Sequence, residues 1–500
     1  MPPVKKKKTT RTSKPEIETN IEGSENLVAS AAGNKSFAAN VKIIFQGGWK
    51  SVAVILVAVA ALLGVILWFV VPKKEAAMTK QFNVAVTEFL IQDASGKRIS
   101  GKDGSLLSGY ISQEIETQFA AMELEKSISY QVWGPKETGM ISGSTPEARA
   151  ANAETLAKKI NAYILIYGVI VTDGTKSKFQ PEFYVNHASF RDASEITGSH
   201  EIGRQLALAL PFTGIQGAEN PALVGRVRAL NLITMGLAYY SVDKFDDALT
   251  YFQKAAGEKD WVGAGHEVVY LLIGNAYVRK DSLIQDFSDL PLAEQNYKLS
   301  LEDDSNYGRA MIGEANVKYL HASQDKNNCD LAGLKEASTL LDQALALSDQ
   351  PVSANIETKV HFYRGQIAII RNACKQTDQD WLTVSQEEFK WVVDQYESRK
   401  QNSGNYESLK SLASHAYARL GYISYQRNDA QVAIESLKKS VEIASPYYQG
   451  LYTAMMGDIY TATGKKAEAA QAYEDAIAIA EQNADAASLK SYQAKLNALK

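Results

Sequence analysis

The period of apolar and polar positions changes along this chain, and each change marks a different kind of element. Residues 51–71, SVAVILVAVAALLGVILWFVV, have no polar phase, since 21 consecutive positions carry no charge. At the rise of an α-helix such a run spans about 30 Å, the thickness of a bilayer's hydrocarbon core. Trp49 and Lys50 precede it and Lys73 and Lys74 follow it, as suits the two interfaces. The pattern predicts a single transmembrane helix. It exceeds the apolar core of a secretory signal and follows a 50-residue polar leader, so it reads as a signal anchor.

Between 80 and 215 short apolar runs alternate with amphipathic ones. Residues 82–89 (FNVAVTEF) predict a buried strand, and Leu107, Ile111, Ile115 and Phe119 recur at helical spacing. A strand over 127–133, a helix from the Thr145-Pro146 start to about Asn161, and strands over 163–171 and 179–190 follow. The alternation predicts a small α/β (α+β) domain. Its strand FNVAVTEF and the passage AKKINAYILIYGVI resemble the amino-terminal domain of the Tol-system translocation protein and related envelope-associated proteins. That resemblance implies an envelope protein-interaction domain.

Beyond 225 the chain repeats itself. Gly236, Tyr239, Ala248, Phe252 and Ala255 stand at intervals of 3, 9, 4 and 3, and the same intervals return at Gly457, Tyr460, Ala469, Tyr473 and Ala476. They return again with Gly421, Ser424, Ala433, Leu437 and Ser440, and three looser units start at Gly274, Gly313 and Gly365. Each unit predicts two helices that approach closely at small residues, giving about six repeats over 225–480 and a capping helix over 485–499. The pattern resembles the tetratricopeptide repeat. The expected fold is therefore multidomain: a transmembrane helix, a small α/β domain and an all-α solenoid.

Charge separates the leader from the rest. Residues 1–50 hold nine Lys and Arg against four Glu, so the remaining 450 hold 44 basic and 53 acidic residues. A mildly acidic body excludes a broad nucleic-acid footprint. Residues 1–35, basic and poor in large apolar groups, predict a disordered tail, and 36–50 a juxtamembrane segment. The run Lys5 to Lys8 reads either as a solvated tail or as a hold on anionic lipid headgroups. It also favours a cytoplasmic N-terminus, with the C-terminal domains extracytoplasmic.

No residue constellation predicts catalysis, a cofactor or a metal. Gly96, Gly101 and Lys102 have the spacing of a phosphate loop, but Asp103 stands where Ser or Thr should ligate magnesium. Neither His200-Glu201 nor His266-Glu267 completes a zinc-protease motif, because Arg204 and Tyr270 replace the second histidine.

What the tetratricopeptide resemblance implies is a peptide or protein partner in the concave groove. The family's groove positions fall on Asn275, Arg279, Glu314, Lys318, Gln366, Tyr422, Gln426 and Asp458. Ile233, Leu237, Ala310 and Ala418 lack the family's terminal-carboxylate clamp, so an apolar or mixed peptide, or a folded partner, is expected instead. The expected function is a membrane-anchored scaffold binding partners at the cell envelope. The alternative is a ligand-sensing or catalytic protein acting through 80–215. The two cysteines, Cys329 and Cys374, fall in the within-repeat turns of successive repeats. Such turns emerge along one edge, so the pair is read either as a disulfide or as two unpaired small apolar residues.

Overall fold

The structure is a computed structural model. It describes residues 77–121, 128–190, 193–261, 263, 265–284, 286–324, 329–347, 355–402, 406–483 and 485–499. The basic tail, the juxtamembrane segment and the apolar run 51–71 lie outside the described residues. Among the described residues no helix is long and apolar enough to cross a membrane. The expected fold class is corrected accordingly: what stands is a small α/β part joined to a helical solenoid, without the single transmembrane helix.

The α/β part is built on a seven-stranded sheet. Strand β1 (Phe82–Val86) lies between β3 (Tyr130–Trp133) and β4 (Ile164–Thr172), parallel to both, and β2 (Leu90–Gln92) extends along β4. Antiparallel β5 (Ser177–Val185) pairs β4, β6 (Gly198–Glu201) and β7 (Leu206–Leu208). All five β1 side chains are buried, as a strand covered on both faces requires. Helix α1 (Asp103–Ala121) presses Leu107, Ile111, Ile115 and Phe119 against one face. A short helix α2 (Pro135–Thr138) follows β3, and α3 (Pro146–Ile160) lays Ala153, Ala157 and Ile160 on the other face. Thr145 caps α3 by accepting from the Ala148 amide at 3.3 Å. Buried Arg149 of α3 pairs with Glu182 of β5.

Two strands end sooner than expected. The run 82–89 breaks after Val86 and resumes as β2. The run 179–190 leaves the sheet at Asn186, whose side chain donates to Ala162 O at 2.8 Å and accepts from the Ala188 amide at 3.1 Å. Local side-chain bonds of this kind outcompete a ladder. The segment it releases, and strands β6 and β7, have no counterpart in the hydrophobic periodicity.

After α4 (Gly214–Ala218), six antiparallel helix pairs stack. They are α5 (Pro221–Tyr240) with α6 (Phe245–Ala256), α7 (Glu267–Ile284) with α8 (Leu290–Asp303), and α9 (Gly308–Gln324) with α10 (Leu331–Ala346). Then come α11 (Ile356–Ala373) with α12 (Trp381–Asn402), α13 (Lys410–Gln426) with α14 (Ala430–Ile443), and α15 (Pro446–Ala462) with α16 (Lys466–Gln482). Helix α17 (Ala486–Asn497) covers the last pair.

Small residues permit the close approach. Tyr297 of α8 lies between Gly274 of α7 and Gly313 of α9, and a Cβ at Gly274 would come 2.7 Å from its ring. Its hydroxyl donates to Asn275 Oδ1 at 2.6 Å. The same contact recurs where Gly457 meets Tyr473. The sheet and the first repeats share one core, in which Phe183, Ile202 and Phe212 join Leu223, Leu230, Ile233 and Trp261. The described residues, from 77 onward, accordingly form one compact unit.

Candidate functional site: a cationic cavity closed by a loop

The segment released from β5 reaches into the curve of the solenoid. Its anchor is the buried Arg309 of α9, which donates to Thr197 O at 2.7 Å, Ser199 O at 3.2 Å and Glu195 O at 3.4 Å. Three carbonyls on one guanidinium hold the loop without a carboxylate. His200 stacks on Phe183 at 4.8 Å and places Nε2 2.7 Å from Ile196 O. Burial, reinforced by Arg309, holds the His200 imidazole well below its ordinary range and therefore neutral. Tyr240 of α5 donates to Glu195 Oε1 at 2.7 Å. One loop thus bonds to the first and third repeats.

Between this loop and the first helices of repeats two to six lies a cavity of about 390 Å³. Its charged lining comprises Arg279, Arg309, Lys359 and Arg419 against Glu195. Asn275, Asn316 and Gln366 supply amides, and Tyr319, Tyr363, Tyr448 and Tyr452 supply rings. His415 faces Tyr448 edge-on at 4.4 Å and bonds Tyr452 OH through Nδ1. Burial and the neighbouring Arg419 and Arg279 push its pKa down to about 3, so it adds no charge. Lys359 is 4% exposed. Burial and Arg309 draw its ammonium below the usual lysine range while Glu195 opposes them.

Of the residues expected in the groove, Asn275, Arg279 and Gln366 line this cavity. Glu314 and Lys318 instead form an ion-pair ladder, with Lys318 Nζ 2.8 Å from Glu336 and 3.3 Å from Glu294. Tyr422 packs against the core between α12 and α13, and Gln426 is exposed at the end of α13. Asp458 accepts from Tyr473 OH at 2.7 Å and from Lys495 Nζ at 2.7 Å, tying α17 to the array. Cys329 and Cys374 are joined by a disulfide with a Cα separation of 6.0 Å.

The cavity wall drifts along the repeats. In the second repeat it is made one to eight residues after Gly274, but in the fourth from six before to one after Gly365. In the fifth it lies two to ten residues before Gly421, and in the sixth two to nine before Gly457. Superhelical rotation accumulates from pair to pair, so a fixed offset samples the wall in one repeat and misses it in another. Lys359, His415, Arg419, Tyr448 and Tyr452 were missed for this reason. Glu195 comes from outside the array altogether.

Residues 348–500 match the family of tetratricopeptide repeat-like domains. The C-terminal part of the chain is such a domain. Comparison with curated protein sequences finds no match. A tetratricopeptide repeat protein from Parabacteroides merdae is 12% identical at a TM-score of 0.37, over 57% of this chain and 88% of that one. A thermophilic TPR protein of Thermus thermophilus is 14% identical at 0.26, over 54% and 98%. Yeast Tom70 is 14% identical at 0.19, over 54% and 68%. A fold of this type generally serves as a protein-interaction scaffold.

Proposed function

We propose that the protein is a non-catalytic scaffold whose partner docks on the edge formed by the turns inside each repeat. The groove is a poorer dock for a long peptide, because the protein's own 193–197 loop occupies its early part. The carrying observation is where the solenoid exposes large apolar side chains. Among the described residues of the solenoid, Val242, Leu283, Leu292, Leu331 and Val432 are exposed at or beside turns between the two helices of a repeat, and Tyr447, at a turn between repeats, is the exception. Stacking in parallel brings those turns to one edge. Exposed apolar side chains gathered on one face, rather than scattered singly, are what an interaction surface presents. The Cys329–Cys374 disulfide ties two successive turns of the same edge, which would hold that face rigid and suits an oxidising, extracytoplasmic compartment.

The test is photo-crosslinking in cells from an amber-encoded probe at Val242, Leu292 or Leu331, read by mass spectrometry. Leu283→Glu combined with Leu331→Glu should abolish the crosslinked species while leaving the melting temperature unchanged. Recovery of the same partner at the same yield from the double variant would refute the edge as the docking face.

A further inference from the structure

The cavity's polar groups are supplied in excess of what the chain itself uses. Arg309 is fully engaged by the loop carbonyls, and Glu195 by Tyr240. The ammonium of Lys359, a residue almost wholly buried, makes no hydrogen bond or ion pair among the described residues, and neither does the guanidinium of the half-buried Arg419. Asn275 and Gln366 are more than nine-tenths buried. Tyr297 holds the Asn275 carbonyl oxygen, which leaves Nδ2 without a partner, and Gln366 Oε1 has none either. Buried polar atoms and charges left unmatched in this way are expensive. Two such amide atoms, beside an unpaired ammonium on a buried lysine and a half-buried guanidinium, make one cavity wall a built site rather than a packing defect.

Their chemistry restricts what fits. An ammonium, a guanidinium and an amide N–H all donate, so most of the ligand must accept, and negative charge satisfies them best. Gln366 Oε1 requires one donor in return, such as a hydroxyl. Tyr319, Tyr363 and Tyr448 provide flat, partly apolar walls. The volume lies in the range of small-molecule sites, and most of its wall is formed by helices rather than open to solvent.

We propose that the cavity between the 193–197 loop and repeats two to six binds a small hydroxylated anion, a hydroxycarboxylate or a sugar phosphate. Lys359 and Arg419 hold the anion, Asn275 donates to it, and Gln366 accepts from its hydroxyl. An anion there adds to the countercharge of Glu195, whose carboxylate Tyr240 also holds, and so favours the protonated Lys359 amine that burial opposes. The site would give the scaffold a ligand-sensing role, because the loop that closes the cavity is bonded to the repeats on either side of it.

Calorimetric titration of the full chain with citrate and with glucose 6-phosphate tests this, with glucose as the uncharged control. One of the two anions should bind saturably at one site, and glucose should not bind. Lys359→Met should weaken binding tenfold or more. Because Lys359 is buried, Arg419→Gln at the half-buried rim serves as a second variant and should weaken binding to a similar extent. Gln366→Leu should cost the hydroxylated anion affinity but not inorganic phosphate. No saturable binding of either anion, or unchanged affinity in both charge variants, overturns the proposal. Binding of tetraglutamate alone, with both small anions inert, overturns it as well and assigns the cavity to an acidic peptide.

Discussion

Replacing Gly274 with Ala should destabilise the protein, although alanine is the better helix former. The new Cβ would lie 2.7 Å from Tyr297 Cε1, 2.9 Å from Cζ and 3.0 Å from Cδ1, against the 3.4 Å or more of an ordinary contact. The ring cannot simply slide away. Gly313 presses its other side, its hydroxyl is fixed to Asn275, and it is 1% exposed. Overpacking of this kind costs about 1–3 kcal/mol. Helix propensity returns at most about 1 kcal/mol. The net should be a loss of up to about 2 kcal/mol by urea titration followed by circular dichroism. Gly109→Ala is the control, since its Cβ would meet nothing within 4 Å, and it should gain about 0.5–1 kcal/mol. In a Tyr297→Leu background the Gly274→Ala penalty should vanish. If Gly274→Ala is neutral or stabilising with Tyr297 present, the claim that the ring dictates glycine on both flanks is wrong.

Three further outcomes are expected. Reducing Cys329–Cys374, which closes a loop of 45 residues, should lower stability by about 4 kcal/mol on the chain-entropy estimate; an unchanged melting temperature in reductant refutes it. Ala248→Leu or Ala469→Leu, each at a wholly buried helix crossing, should cost about 1–3 kcal/mol, and wild-type melting in both would remove the crossing. Glu267 is raised from 4.5 to about 7, first by desolvation and then by its bond to Asp303. The folded state therefore holds the extra proton between those values, and stability should fall as pH rises through that window. Asp303 is shifted downward from 3.8 and acts below it. Glu267→Gln should flatten the slope, and an identical pH profile would contradict the assignment.

The repeats were legible because their signal is local. A glycine in one helix and a ring in the next, as at Gly457 and Tyr473, must keep their spacing for the pair to close. The alternation of strands and helices in the α/β part was legible for the same reason, through β1, α1, α3 and β4. The cavity was not. Its wall at Lys359, His415 and Tyr448 depends on rotation summed over several repeats, which no single repeat records. Glu195 was hidden differently. The apolar run FQPEFYVNHASF continues the strand's alternation past Val185, and only the side-chain bonds of Asn186 end it. Asp458 looked like a groove residue by its place after Gly457, but Lys495, from a helix beyond the last repeat, claims it.

A stack of helix pairs coupled only to their neighbours is elastic, and it can change pitch by many small adjustments. Here the 193–197 loop bonds to Tyr240 in the first repeat and to Arg309 in the third, so those coils are pinned across the stack as well as along it. Pulling on the two ends should therefore not give the smooth extension of a spring. The later repeats would stretch first, and the early ones would hold until the carbonyls around Arg309 let go together, in one discrete rupture.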